Sequence, residues 1–178
     1  MIEVLVTLVI VSFGLLGLAG LQTRLQTSEM ESYQRSQALL LLGDMANRIS
    51  VNRGNAAAYV ALATVDNPLG VGMTCSNITS TNPFVQTDLR EWCDGLQGAA
   101  ETTGGNKVGA MIGGRGCIEE LSGGEYFITV AWQGLTPISA PPAAVACGSS
   151  SYDASGTSCV GDLCRRTVTT VVHIADLS

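Results

Sequence analysis

From Met1 to Leu21 almost every position is apolar or small, and the one ionised side chain is Glu3. At about 1.5 Å rise per residue this stretch makes a helix roughly 30 Å long, the thickness of a bilayer's hydrocarbon core. A helix apolar on every face is unlike the core helix of a soluble domain. A cleaved secretory signal fits poorly, because there is no basic region ahead of the apolar run, no polar break at a small-residue cleavage site, and helical sequence continues past Leu21. Beyond Leu21 the pattern turns amphipathic. Leu21, Leu25, Ala38, Leu41, Leu42, Met45 and Ile49 recur at helical spacing, interrupted by Arg24, Glu31, Arg35, Asp44 and Arg48. Glu31 with Arg35, and Asp44 with Arg48, are acid-first pairs four apart that each add a few tenths of a kcal/mol. No proline occurs from Met1 to Asp66, and Gly54 with Asn55 supplies the expected C-cap. The pattern predicts one helix of about 53 residues, roughly 80 Å long.

Gly14, Gly17 and Gly20 stand three apart in the apolar half. Each costs up to about 1 kcal/mol of helix propensity, permits close helix contact in a membrane, and leaves a bendable segment in a bundle. Residues 54 to 122 are rich in Gly, Asn, Thr and Ala and read as a long connecting region. It is partly helical around Asp88 to Asp94, turns at Gly104 and Gly105, Gly113 and Gly114, and Gly123 and Gly124, and is pinned by cysteines more than by a periodic core. Glu125 to Gln133 (EYFITVAWQ) alternates as a strand, with Tyr126, Ile128, Val130 and Trp132 on one face. Residues 135 to 163 form an irregular loop, and Arg165 to Ile174 (RRTVTTVVHI) gives a second long strand. Paired antiparallel and laid against Ala38 to Ile49, these strands bury the amphipathic face of the helix. The expected architecture is α+β, one long N-terminal helix packed against a small antiparallel sheet. The helix covers 1–53, with an apolar half 1–21 and an amphipathic half 22–53, and the head covers 54–178.

Composition narrows the function. The chain has 178 residues, a formal net charge of -6 and 13% charged residues, with no basic block to neutralise a run of phosphates, so direct nucleic-acid binding is not expected. All six cysteines, Cys75, Cys93, Cys117, Cys147, Cys159 and Cys164, follow the helix. Even number and wide spacing point to intramolecular disulfides in an oxidising compartment, although spacing does not choose among the connectivities. A membrane segment at one end and disulfides at the other put the head outside the cytoplasm.

No constellation for catalysis, cofactor binding or metal binding emerges. The single histidine, His173, sits in the expected last strand. The shortest cysteine interval, Cys159 to Cys164, is neither a zinc knuckle nor a Cys-x-x-Cys redox pair. Residues 113 to 118 (GGRGCI) superficially resemble a phosphate loop but lack its lysine and hydroxyl. Asp88, Glu91, Asp94, Glu119 and Glu120 read as solvated surface acids. Asn77-Ile78-Thr79 matches an N-glycosylation acceptor and indicates at most a surface loop. Glu3 stands apart: a carboxylate one turn into an apolar helix costs several kcal/mol if buried unpaired, so it stays at the interface, is neutralised, or finds a cation. In a helix bundle the natural donor is the N-terminal amine of a neighbouring subunit, and such a pair sets axial register.

The run from Ile2, Glu3, Val4, Leu5 and Val6 through the apolar segment resembles the N-terminal segment of type IV pilins and the related pseudopilins. Within that class the stretch GLLGLAGLQ (14–22), then Asp44, Met45, Arg48, Ile49, Asn52, Arg53 and Tyr59, and the two strands, are most similar to the PilV-type minor pilins, the type IV pilus modification proteins. The resemblance implies a precursor whose short basic leader ends in glycine, cleavage by a prepilin peptidase, and an N-methylated phenylalanine. Leader, glycine and phenylalanine are absent here, and Glu3 matches the family's key glutamate, so we expect the natural start to lie upstream of Met1. It further implies an inner-membrane protein with a periplasmic head. Such a subunit enters a complex with other minor pilins and the major pilin, primes pilus assembly through the inner-membrane machinery, and supports twitching motility or adhesion from the pilus and its tip. Two rival expectations are a minor pseudopilin of a type II secretion system and a single-span periplasmic enzyme or binding protein.

Overall fold

The computed structural model describes residues 2–99, 102–104, 106, 107, 109 and 111–175. Met1, and the turn expected at Gly105, lie outside the described residues. The long helix α1 runs Ile2–Val51. By internal contacts the chain divides into Met1–Tyr33 and Gln34–Ser178. In the first unit no described residue is buried, and the apolar side chains of Ile2, Leu5, Ile10, Phe13 and Leu16 are all open. This helix is long and apolar enough to cross a membrane.

In the second unit α1 has one buried stripe, Gln34, Ala38, Leu42, Met45 and Ile49, at steps of three and four that keep one face inward. Gly54 does not cap α1: a 3-10 turn at Arg53–Asn55 follows and leads into α2, Ala56–Leu62. Gly54 is not among the residues with positive φ, the conformation a left-handed cap requires. The strand β1, Leu69–Gly70, and a 3-10 turn at Cys75–Asn77 precede α3, Pro83–Leu96. Asn82 starts α3 by accepting the Phe84 and Val85 amides on its Oδ1, with Pro83 in the first turn. Val85, Leu89, Trp92, Cys93 and Leu96 form its buried face.

The strands are β2, Thr102–Thr103; β3, Asn106–Lys107; β4, Arg115–Glu120; β5, Glu125–Gln133; and β6, Arg165–His173. β2 and β3 form a small hairpin, and the main sheet is antiparallel in the order β1-β4-β5-β6. β5 and β6 pair throughout, from Glu125 opposite His173 to Gln133 opposite Arg165. Tyr126, Ile128, Val130 and Trp132 face a core shared with the α1 stripe, Tyr59, Val85, Leu89 and Trp92. On the opposite face Cys117, Ala131, Cys147 and Tyr152 form a second, smaller core beneath the loop 135–163.

The reading of 54–122 as a connecting region is corrected by the structure. It supplies α2, α3 and β4, and Tyr59, Leu69, Trp92, Leu96 and Ile118 in the main core. In β4 the glycine and short apolar count hide the strand, because Gly116 is where Trp92 and Leu96 lie against the sheet. A Cβ there would come within 2.3 Å of the Trp92 ring and 2.8 Å of Leu96. GGRGCI is thus a turn and a strand packed under an indole.

Candidate assembly interface

Two regions carry the features singled out by the sequence. On the apolar half of α1, Glu3 is exposed in the first turn. The helix continues unbroken through Gly14, Gly17 and Gly20, where an added Cβ would meet no atom within 4 Å. The same open space surrounds this whole stretch of α1, in which no described residue is buried.

In the head, a polar cluster ties α1 to α2 and α3. Arg48 Nε donates to Asp44 Oδ2 at 2.8 Å, and its Nη1 donates to Asp88 Oδ1 at 2.8 Å and Glu91 Oε2 at 2.7 Å. Asp88 Oδ2 also accepts from the Tyr59 hydroxyl, which in turn accepts from Asn52 Nδ2 at 3.0 Å. Partial burial alone would lower the Arg48 pKa, but the hydrogen bonds to Glu91, Asp88 and Asp44 outweigh it and hold the guanidinium ionised more firmly than usual. Burial, followed by donation to Asp88, pushes the Tyr59 phenol up to about 12. Asp88 and Glu91 are therefore partners of one arginine forty residues away, where the sequence suggested solvated acids. A few residues along, Trp92 Nε1 donates to the Leu41 carbonyl at 2.9 Å, so the packed indole is also satisfied.

Cys75 is bonded to Cys93, Cys117 to Cys147, and Cys159 to Cys164, and no cysteine is free. The first ties the turn after β1 to α3, the second ties the loop 135–163 to β4, and the third closes the entry to β6. That loop is held further by Arg165, which donates to the Val145 and Cys147 carbonyls and pairs with Asp162, and by Tyr152, which donates to the Gly113 carbonyl and lies under the Arg115 guanidinium.

A shallow cleft of about 420 Å³ is lined by Val71, Leu96, Gln97, Lys107 and Met111 among others. Lys107, its one ionisable lining residue, is bound to Asp94 and Gln97, so no acid and base face each other there. Among the described residues no three His, Cys, Asp or Glu side chains converge as metal ligands, and His173 is exposed on β6.

Residues 20–93 match the family model described as Tt1218-like, type IV pilin Tt1218. That stretch is similar to a type IV pilin. It begins in the apolar half of α1 and holds the whole Arg48, Tyr59 and Asp88 cluster and both halves of the Cys75–Cys93 bridge. No curated protein matches the chain, and no solved structure does. With a long N-terminal helix packed against a small antiparallel sheet, the fold is type-IV-pilin-like. The apolar run of α1 is long and apolar enough to cross a membrane, and the part of the chain that follows it, to residue 93, is similar to a type IV pilin.

Proposed function

We propose that the chain is a PilV-type minor pilin, a low-copy structural subunit that helps start a type IV pilus and stays near its tip, supporting twitching motility or adhesion. Before assembly it waits in the inner membrane with its head in the periplasm. It then joins other minor pilins, the major pilin and the inner-membrane assembly machinery. The observation that carries this reading is the single helix α1 with two burial regimes: a stripe from Gln34 to Ile49 buried in the head, and an apolar run from Ile2 to Leu21 that the chain itself leaves bare. A bilayer covers such a run first, and a bundle of like helices covers it in a fibre. Glu3 marks register in that bundle, and the three glycines keep the middle of the run adaptable.

The test is deletion of the gene in its natural host, with full-length precursor supplied in trans. Surface pili and twitching should drop and return on complementation, with export of folded proteins unchanged. Normal pili with lost export would instead assign the chain to a type II secretion pseudopilus.

A further inference from the structure

The three disulfides of the head differ in what shields them and in what they hold. Cys75, Cys93, Cys117, Cys147 and Cys164 are buried, whereas Cys159 is only half-buried. The Cys159–Cys164 bond also closes the shortest ring, at a sequence separation of 5 against 18 and 30. Just ahead of that bond lies the segment 153–161, in which every residue except Cys159 is exposed and none is buried. Its hydrogen bonds are largely internal: the Ala154 amide donates to the Cys159 carbonyl at 2.8 Å, the Thr157 amide to the Ala154 carbonyl at 3.2 Å, and the Cys159 amide to Thr157 Oγ1 at 3.0 Å. Two cross to the chain that follows, where the Asp162 amide donates to Asp153 Oδ1 at 2.9 Å and the Leu163 amide to the Val160 carbonyl at 3.4 Å. Both flanks are fixed without the disulfide. Tyr152 is buried and donates to the Gly113 carbonyl, and Asp162 accepts from the Ser149 hydroxyl and the Ser150 amide and pairs with buried Arg165. Between flap and flank stands Gly161, with φ +60 and no atom within 4 Å of where a Cβ would lie, so the chain can turn there as a hinge.

We propose that Cys159–Cys164 is a redox clasp on the flap 153–161, opened selectively by a dithiol and closed again by a disulfide oxidant. Attack falls on Cys159 Sγ, because Cys164 and the other four cysteines are buried and access governs thiol–disulfide exchange. A thiolate of the dithiol bonds to Cys159 Sγ, the Cys159–Cys164 bond breaks, and Cys164 leaves as a thiolate that takes up a proton. The dithiol's second thiol then loses its proton and attacks the dithiol sulfur of the mixed disulfide, and Cys159 leaves and is protonated. The protein has gained two electrons and two protons, and the dithiol has become a cyclic disulfide. Once the bond is open, the flap has no buried side chain to oppose the entropy gained by its release, and two hydrogen bonds are left to hold it. The sheet and the main core do not draw on the flap, and Cys117–Cys147 still ties the loop 135–163 to β4. Reclosure is favoured because the short ring keeps the two thiols close and costs little closure entropy. The clasp stands on the geometry of the head and does not depend on the role proposed above.

The test titrates the full chain, folded in detergent micelles without denaturant, with dithiothreitol, alkylates the free thiols and maps them by peptide mass spectrometry. Cys159 and Cys164 should be alkylated together at a dithiothreitol concentration at least ~10-fold below that needed for the other four cysteines. At that concentration, hydrogen exchange at the amides of Ala154, Thr157 and Cys159 should quicken at least ~10-fold, while those of β5 stay as slow as before. Oxidised dithiothreitol should then restore both the bond and the slow exchange. Opening of Cys75–Cys93 or Cys117–Cys147 at the same concentration overturns the proposal, as does a reduced Cys159–Cys164 pair whose flap amides exchange no faster. Failure of the bond to reform in the folded chain overturns its reversibility. The double variant Cys159→Ser, Cys164→Ser should show the fast flap without any reductant, and a slow flap in it would mean that hydrogen bonds alone hold the segment. If that variant fails to fold, the titration of the unmodified chain decides alone.

Discussion

Gly116 is the residue on which the packing of the head turns. Its missing side chain leaves the sheet surface to Trp92, which is fully buried and has its Nε1 held by the Leu41 carbonyl, so the ring cannot retreat. Gly116→Ala should cost roughly 2 kcal/mol, the usual penalty for forcing a methyl into a filled core. Thermal unfolding of the full chain in micelles checks this, and an unchanged midpoint would mean that α3 moves away from the sheet freely. Nothing in the sequence marks this position: a glycine between an arginine and a cysteine reads as a turn unless the indole that covers it is known. The same holds for Arg48. Its pairing with Asp44 is local and legible at four residues' spacing, but Asp88 and Glu91 reach it only because α3 folds back onto α1.

Among elements, the junction of α1, α2 and α3 depends on a proton. Tyr59 donates to Asp88 only while its phenol is neutral, and its folded-state pKa of about 12 lies above the ordinary 10.0. A group whose pKa rises on folding stabilises fully below its unfolded pKa and loses that contribution as pH climbs toward the folded value. Stability measured by denaturant titration should therefore fall between pH 10 and 12. Tyr59→Phe should flatten this part of the profile, since it removes the proton that is lost. An equal alkaline loss in the variant would place its origin elsewhere. At this scale the sequence was informative wherever periodicity was long. The buried stripe of α1 and the pairing of β5 with β6 follow from steps of three to four and of two. α3 was only partly visible, though Asn82, Pro83 and its apolar spacing carry the start signal. β4, glycine-bearing and six residues long, falls below what alternation can reveal.

At the scale of the molecule, the chain itself leaves the apolar run of α1 bare, and on the function proposed above other chains cover it. Replacing Glu3 by alanine in a processable full-length precursor should leave membrane levels intact while lowering recovery in pilus complexes several-fold, roughly the effect of losing one charge pair in a low-dielectric bundle. Quantitative immunoblotting of sheared pili against membranes reads this directly, and equal incorporation would remove Glu3 from any role in register. The sequence by itself determined the long helix, its change from all-apolar to amphipathic and the two long strands, because each rests on local periodicity. Only the tertiary structure decided which cysteines are joined, that Trp92 lies on Gly116, and that three carboxylates share Arg48. Those depend on which distant residues become neighbours, and no spacing along the chain encodes that.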